Sequence, residues 1–386
     1  MKISFVHYSF RDDGVSRVVT NNIAGIKETY GINCSLIGEH FSENLPRDIE
    51  KRHISWDEDP LDSLMNATHN SDAVIIENPT IGKHPKLTEA FKRYAEESGK
   101  RVLYRTHDLV DDRPEYHKEF KRVFPLPGSE YPKSDNVRFL TLTSTDKRRL
   151  EEKGIDDVHV LSNPIIPEEL IPRDSYRFRA KLEEESIIGK DEMMLAYPVR
   201  ILPRKNIEEA IFMTSLLDDC RLLVSLPHRG EYQQELESFA DELGAKCSLG
   251  KVASYIGEDH GIADFLGAAE YVMTTSVREG FGFAFIEPWM SGTPVIGRNI
   301  PSVTEDFKKN GMLLDHLYDG DVPEDPAERI RLLRRRVRDD VFRQEKRETL
   351  EDVMSKSENY VPTNKDIVEK KYDYRSIAKE LYGHIN

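Results

Sequence analysis

The sequence predicts an α/β protein built from two tandem Rossmann-like, doubly wound domains. Short apolar runs alternate with amphipathic helical segments along most of the chain, which indicates parallel strands joined by crossover helices. The alternation is interrupted at the proline-containing segment 166–184 and then restarts. At 386 residues, the chain also exceeds one ordinary domain. We therefore expect an N-terminal domain at 1–185, a C-terminal domain at 186–365 and a helical end at 366–386.

The first domain opens on a predicted strand, KISFVHY. A glycine-containing loop follows, and then a helix that ends at Gly31, a residue suited to a left-handed C-cap. Further strands are predicted from β-rich apolar runs at 33–38, 72–78, 101–108, 136–144 and 157–164. Amphipathic or charged helices are predicted between them at 86–100 and 145–154.

The second domain repeats the pattern and ends in a charged extension. Its predicted strands lie at 192–200, 220–226, 245–250, 270–276 and 293–297. Its predicted helices lie at 206–217, 233–245 and 262–269. Segment 319–370 is polar, helical in pattern and rich in both charge signs, so we expect one or two exposed helices with a salt-bridged face. A partner or a membrane surface is the alternative for its basic run.

Composition narrows the class of protein. A formal net charge of −15 argues against a protein that tracks nucleic-acid phosphates. No run approaches 18 consecutive apolar residues, and no secretory signal precedes the first strand, so we expect a cytoplasmic protein with at most peripheral membrane contact. The three cysteines, Cys34, Cys220 and Cys247, lie far apart and are expected to be reduced thiols.

The segment VREGFGFAFIEPWMSGTPVIG, residues 277–297, carries the most specific pattern. Ligands of doubly wound sheets bind at the carboxyl ends of the strands, so two facing domains are expected to form a central cleft there. Glu279 follows a buried strand, and Gly280 and Gly282 allow a ligand to approach the backbone closely. A helix predicted over FAFIEPWMS would direct its N-terminus to the same place and carry Glu287. Two carboxylates around an anion site fit a nucleoside diphosphate sugar, which has hydroxyls at both ends and a pyrophosphate between them.

This segment resembles the E-x7-E region of retaining, nucleotide-sugar-dependent glycosyltransferases of the GT-B fold, in particular glycosyltransferase family 4. The resemblance implies that Glu279 contacts donor-sugar hydroxyls and Glu287 the ribose. It also implies that the amides of Phe281, Gly282 and Phe283 lie near the sugar and phosphate, with Gly280 in the same loop. The final residues resemble the family's terminal helix, which crosses back onto the first domain.

A second motif, YPVRILPRKNIEEAI, supplies cations to the first loop of the second domain. An Arg and a Lys five apart carry little information alone, but Arg200 and Lys205 match the family's paired cations at this turn. The resemblance implies that both stabilise the departing diphosphate, whose charge grows in the transition state. We expect both side chains to face an open cleft and Arg204 to be peripheral. The family's Gly-x-Gly-Pro loop is replaced by LPHRGEY, where His228 or Arg229 could substitute.

The first domain contributes fainter signals. Gly14 lies between the first strand and helix, where the family keeps a glycine loop near donor phosphate and acceptor. Arg17, one turn into that helix, and Asp108 are candidate acceptor contacts. His107 matches a family histidine near the transferred sugar, which it would position without acting as a base. Asn163 marks the end of the domain's last strand.

The mechanism and substrates follow as expectations. No acid is obviously placed as a nucleophile, which favours a same-face substitution in which leaving phosphate accepts the acceptor's proton. No DxD-type motif appears in a suitable loop, so we expect neither metal nor cofactor beyond a UDP-, GDP- or ADP-hexose. The acceptor is expected to be a small soluble or phosphorylated metabolite of the sugar-phosphate or glycerate type, or a glycan. A sugar-nucleotide epimerase, a phosphorylase and a non-catalytic binding protein remain alternatives.

Overall fold

The computed structural model describes residues 1–57, 59–228, 230–257 and 260–386. Its strands are β1 (Ile3–Val6), β2 (Cys34–Gly38), β3 (Glu50–His53), β4 (Ala73–Glu77), β5 (Arg101–Thr106), β6 (Val137–Thr141), β7 (Val158–Val160), β8 (Met193–Arg200), β9 (Cys220–Leu226), β10 (Cys247–Leu249), β11 (Tyr271–Thr274) and β12 (Val295–Gly297). Its α-helices are α1 (Gly14–Tyr30), α2 (Pro60–Thr68), α3 (Pro85–Glu97), α4 (His117–Val123), α5 (Ser144–Glu152), α6 (Ser175–Glu184), α7 (Ile207–Thr214), α8 (Glu231–Leu243), α9 (Ile262–Gly267), α10 (Glu287–Met290), α11 (Pro301–Lys309), α12 (Pro326–Arg336), α13 (Asp340–Glu358), α14 (Val361–Lys371) and α15 (Tyr374–Ile385).

The first compact unit comprises Met1–Ile166 and Lys371–Asn386. Its described strands form one parallel sheet in the order β3-β2-β1-β4-β5-β6-β7. Every residue of β1 and β4 is buried, as expected for strands covered on both faces. Helices α2 and α3 cover one face, and α1 and α15 cover the other. The doubly wound architecture predicted for this part of the chain is confirmed.

The first helix, α1, begins and ends where its sequence signals lie. Asp13 is its N-cap, and the carboxylate accepts a hydrogen bond from the amide of Ser16 at 2.9 Å. Gly31 ends the helix in the left-handed conformation, with φ of 66°. Gly14 is therefore the first helical residue, and its amide lies at the positive end of the helix dipole.

The terminal helix α15 packs on α1 within the same unit. Gly25 permits the close approach, because a β-carbon there would lie 2.3 Å from the carbonyl oxygen of Tyr374. Tyr30 stacks on Tyr382 with ring centroids 4.1 Å apart. The chain end therefore returns to the first sheet, as the resemblance implied.

The second compact unit comprises Pro167–Lys370. Its described strands form a parallel sheet in the order β10-β9-β8-β11-β12. Helices α7, α8, α12 and α13 contribute to the apolar core on one face, and α6 and α9 to the core on the other. A second doubly wound domain is thus present, as predicted.

The units divide between Ile166 and Pro167, earlier than the position 185 expected from the sequence. The reason is that α6 belongs to the second sheet. Its Phe178 is fully buried against Phe265 of α9, and Gly267 approaches Pro172 closely. The proline-containing segment therefore begins the second unit.

The charged segment 319–370 forms α12, α13 and α14. Part of its basic surface is paired: Arg334 bonds Glu242 at 2.7 Å, and Arg347 bonds Asp218 at 3.2 Å. Among the described residues, no helix is long and apolar enough to cross a membrane.

Candidate functional site

The loop after β8 is fixed to the loop after the neighbouring strand β11. The hydroxyl of Tyr197, buried in β8, donates to the carbonyl of Lys205 at 2.7 Å. Thr275 contacts the same loop through its hydroxyl, which bonds the carbonyl of Asn206 at 2.8 Å. The amide of Val277 donates to the carbonyl of Arg204 at 3.0 Å. These bonds hold segments 203–206 and 275–277 side by side at the carboxyl ends of two parallel strands.

This pairing brings the predicted cation and carboxylate together. The ammonium of Lys205 donates to Glu279, and one guanidinium nitrogen of Arg204 lies 2.9 Å from the other carboxylate oxygen. The side chains of Lys205 and Glu279 are 10% and 8% exposed. Burial alone would raise the pKa of Glu279, but Lys205 and Arg204 lower it to about 2. The carboxylate is therefore ionised and held in one orientation by two cations.

Two expectations for the cations need correction. Arg204 is not peripheral, because it contacts both the carboxylate of Glu279 and the carbonyl of Arg278 at 3.2 Å. Lys205 is not exposed, as a side chain facing an open cleft would be, but is buried beside Glu279. Arg200, the last residue of β8, is exposed. No ion pair involves it within the part of the chain that the structure describes.

The glycine loop after β11 is closely packed against the chain's own side chains. Gly282 has φ of 88°, and a β-carbon there would lie 2.9 Å from Phe285 and from Val303. Phe281 is buried, and its ring meets Phe283 edge to face at 5.1 Å. Aromatic packing beneath the loop thus fixes its backbone, while Gly280 remains partly exposed.

The helix predicted over FAFIEPWMS is broken into two parts. A 3-10 turn covers Phe283–Phe285, and α10 begins only at Glu287. Pro288 explains the break, because its ring would clash with the carbonyl four residues earlier and it lacks an N–H. With only four residues in α10, a helix-dipole contribution from this element is small. Glu287 is buried at the first position of α10.

Two buried arginines that were not predicted as site residues brace the first turn of α7. Arg329 bonds Glu208 at 2.5 Å, and Arg298 bonds Glu209 at 2.6 Å. All four side chains are at most 12% exposed. Because α7 starts one residue after Asn206, these pairs also hold the loop that carries Lys205. Arg298 directly follows β12, and this placement after a predicted strand is the one feature of the sequence that could have indicated it as a site residue.

In the first unit, His107 follows β5 and contacts a carboxylate that was not predicted as a site residue. Its Nε2 lies 2.5 Å from Glu77, the last residue of β4. The guanidinium of Arg105 lies 3.7 Å from the other oxygen of Glu77 and bonds the side-chain oxygen of Asn163 at 3.1 Å. All four side chains are buried. Asn163, expected only as a landmark, therefore completes a polar network at the carboxyl edge of the first sheet.

The remaining candidates of the first unit are distributed along the same edge. Asp108 accepts a hydrogen bond from Arg113 at 2.9 Å. Gly14 is exposed at the start of α1, where an added β-carbon would meet no atom within 4 Å. Arg17 is half-buried one turn further along that helix.

The loop after β9 carries His228, a predicted substitute for the family's glycine loop. The amide of His228 donates to Gln233 at 2.9 Å, while Arg229 lies outside the described residues. Within 1–57, 59–228, 230–257 and 260–386, no group of three or more His, Cys, Asp or Glu side chains is arranged to hold a metal ion.

Residues 178–335 match the family model described as glycosyl transferases group 1. The matched region contains Lys205, Arg204, Glu279 and Glu287. Over the whole chain, the crystal structure of Anabaena HepE in complex with UDP is similar, with a TM-score of 0.68, 14% identity and coverage of 99% of both chains. The fold is GT-B. The family match and the GT-B neighbours together support a glycosyltransferase.

Two curated relatives come from Petrotoga mobilis. Mannosylglucosyl-3-phosphoglycerate synthase is 23% identical over 335 residues, which cover 78% of this chain and 65% of the relative. Mannosylglucosylglycerate synthase is 21% identical over 269 residues, which cover 62% of each protein. The alignments thus span less than two thirds of the length of either relative.

Proposed function

We propose that this protein is a retaining glycosyltransferase of the family 4 type. It would transfer a hexose from a nucleoside diphosphate sugar to a hydroxyl of a small acidic acceptor of the glycerate or sugar-phosphate class. The observation that carries the proposal is the buried contact of Lys205 and Arg204 with Glu279 at the carboxyl ends of β8 and β11. A carboxylate oriented by two cations is suited to accept hydrogen bonds from sugar hydroxyls beside a negatively charged group.

The donor assignment is supported by what similar proteins bind. Anabaena HepE has been crystallised with UDP and, in a second similar structure with a TM-score of 0.65, with UDP-glucose. In this chain, Arg200 is exposed at the same strand end and can reach a phosphate oxygen without first breaking an ion pair seen among the described residues. We assign Arg200 and Lys205 to the diphosphate, Glu279 to the sugar and Glu287 to the ribose.

The reaction proposed is a substitution on one face of the sugar. The bond between the anomeric carbon and the phosphate oxygen breaks, and the acceptor oxygen bonds to the same carbon from the same side. The acceptor's proton passes to the leaving diphosphate. The chain's own groups supply orientation and positive charge, which stabilise the departing oxygen more than the bound donor.

The acceptor class is supported by the names of the two relatives, which both identify products that contain a glycerate unit. A glycerate or phosphoglycerate acceptor is small and anionic. Arg17 and Asp108 remain candidate acceptor contacts.

A donor screen followed by product analysis tests the proposal. Thermal shifts would be measured with UDP-, GDP- and ADP-hexoses, and the stabilising donor incubated with 3-phosphoglycerate, glycerate or their glucosides. The expected result is an acceptor mass increased by one hexose, with an anomeric configuration by NMR equal to that of the donor. Arg338→Ala, at an exposed arginine of the same unit, is the control for Arg200→Ala. Epimerised donor without acceptor, or donor binding without transfer to any acceptor, would overturn the proposal.

A further inference from the structure

Glu77, Arg105 and His107 form a buried charged group at the carboxyl edge of the first sheet. Glu77 and Arg105 have no exposed surface, and His107 is 7% exposed. The imidazole Nε2 lies 2.5 Å from one oxygen of Glu77, and Arg105 lies 3.7 Å from the other. Ionised groups are rarely buried to this extent, because removing them from water costs more than their attraction commonly returns. A purely structural strand end could be filled by apolar side chains at lower cost.

The arrangement decides which nitrogen of His107 carries a proton. Although burial would raise it, Arg105 and His107 hold the pKa of Glu77 below its ordinary value. An ionised carboxylate only accepts hydrogen bonds, so Nε2 of His107 must be the donor. In the neutral ring, Nδ1 is then an acceptor. No hydrogen bond of Nδ1 occurs within the part of the chain that the structure describes.

The backbone that carries the ring is also held in place. The amides of His107 and Asp108 both donate to the side-chain oxygen of Asn78, at 3.3 and 3.1 Å. Asn78 holds the left-handed conformation, with φ of 55°, which only a few residue types adopt readily. On the other side of Glu77, His7 bonds the Glu77 carbonyl at 2.8 Å. Buried charge and a backbone-fixing asparagine are thus concentrated around one imidazole.

We propose that Glu77, held by Arg105, is a positioning residue that keeps His107 in its Nε2-protonated form and presents Nδ1 as a hydrogen-bond acceptor to a substrate hydroxyl. The identity of that hydroxyl, on the transferred sugar, rests on the proposed function. Glu77 itself contacts no substrate and acts through His107.

The protonation state can be measured without any activity. Protein labelled with 15N-histidine would be examined by two-bond 1H–15N correlation NMR, with His107→Gln used to assign the ring. In the neutral ring, we expect a protonated Nε2 and an unprotonated Nδ1. The opposite pattern in the unmodified protein would overturn the proposal, whatever the enzyme turns out to catalyse.

Activity then tests the role. Glu77→Gln should lower kcat by roughly 10- to 100-fold, the value of one charge-assisted hydrogen bond, with little change in the Kd of the free nucleoside diphosphate. Glu77→Asp should restore part of the loss. In a His107→Ala background, Glu77→Gln should cost nothing further, because the two residues act as one unit. Independent, multiplying losses would overturn the positioning role. If no hexose donor supports transfer at all, the proposed function fails, but the NMR result still decides the tautomer.

Charge and folding effects have separate controls. Arg105 and His7 act electrostatically on Glu77 from neighbouring segments, and Asp13 acts on His7, so kcat would be followed across pH. Glu77→Gln should shift the kcat profile, whereas a variant that only loosens the fold would lower it evenly. If Glu77→Gln does not fold because Arg105 is left unpaired, the spectrum of the unmodified protein remains the deciding measurement.

Discussion

Lys205 bonds Glu279 across the carboxyl ends of the neighbouring strands β8 and β11, and both side chains are largely withdrawn from water. The bond joins the two motifs that are most specific in the sequence, although they lie 74 residues apart. Arg204 donates a hydrogen bond to the other carboxylate oxygen of Glu279. The cation proposed for the diphosphate is therefore held in place before a donor arrives, which reduces the reorganisation needed in the transition state.

Replacing Lys205 and replacing Arg200 should have different consequences for stability. Each Ala substitution is expected to lower kcat on the order of 10²- to 10³-fold, as for loss of one preorganised donor. Only Lys205→Ala should also destabilise the fold, by about 1–3 kcal/mol, because it leaves a buried carboxylate with one partner fewer. Arg200 is exposed, so Arg200→Ala should melt like the unmodified protein. Single-turnover rates and thermal unfolding would be measured for both, and a stable, active Lys205→Ala variant would contradict the assignment.

Glu279 should contribute an acid-sensitive part of the stability. Its pKa is lowered to about 2 in the folded protein, from an ordinary value of 4.5. The contribution is therefore fully present above about pH 4.5 and is lost as pH falls toward 2. Glu279→Gln should be less stable than the unmodified protein at neutral pH, and the difference should shrink in acid. Urea unfolding across this range, with Glu231→Gln as a control for loss of an exposed charge, would detect it. A difference independent of pH would show that the carboxylate is not ionised in the fold.

The sequence predicted those parts of the molecule that depend on local patterns. Continuous apolar runs such as β4 identify strands buried on both faces, and the Gly31 C-cap ends α1 as expected. Glu77 and Arg105 were not predicted as site residues because they lie within runs that read as strands. A single charged residue in such a run is commonly exposed at the end of the strand. Nothing local distinguishes a buried Glu77 from an exposed strand end.

The burial of Lys205 likewise depends on distant residues. Tyr197 and Thr275 bind the backbone of its loop. Arg329 braces the helix that follows this loop. It also bonds the carbonyl of Pro203, which lies 126 positions earlier in the chain. Arg329 belongs to a segment with several arginines, and the sequence does not show which of them is buried. Only the fold distinguishes Arg329 from the more exposed arginines near it. Hydrophobic periodicity predicts elements, but it does not predict which polar side chains meet between them.

Glu287 should matter mainly for donor binding. If it accepts hydrogen bonds from ribose hydroxyls, Glu287→Ala should raise the donor KM by roughly 10- to 100-fold, the cost of one or two charge-assisted bonds. Glu287→Gln, which keeps one acceptor oxygen, should lose less. Affinity for the free nucleoside diphosphate would be measured by calorimetry beside the kinetics. Unchanged affinity in Glu287→Ala would contradict a ribose contact.

Substitutions at two glycines can distinguish the cost of backbone strain from the cost of side-chain packing in the free energy of unfolding. Gly282 and Gly292 both have positive φ, at 88° and 80°, but only Gly282 has neighbours within 2.9 Å of an added β-carbon. Gly292→Ala should cost about 1 kcal/mol from the backbone alone, with activity retained. Gly282→Ala should cost more and also lower activity, because Phe285 and Val303 must shift beneath the candidate donor loop. Equal losses of stability in the two variants would argue against the packing requirement at Gly282.

The end of the terminal helix should respond to mild acid. His384 lies against His159, with ring centroids 4.8 Å apart, and its carbonyl accepts hydrogen bonds from Arg101 and Arg138. Burial lowers the pKa of His384 to about 4, and the positive charges of His159 and Arg138 act in the same direction. Because the pKa of His384 is lower in the folded protein than its unfolded value of 6.5, the neutral imidazole stabilises the folded state fully at pH values above 6.5. This stabilisation is lost as the pH falls through 4. The unmodified protein should therefore lose thermal stability between about pH 7.5 and about pH 5, and His384→Gln should lose less. The exposed His69→Gln is the control, and an identical pH response in both variants would contradict the assignment.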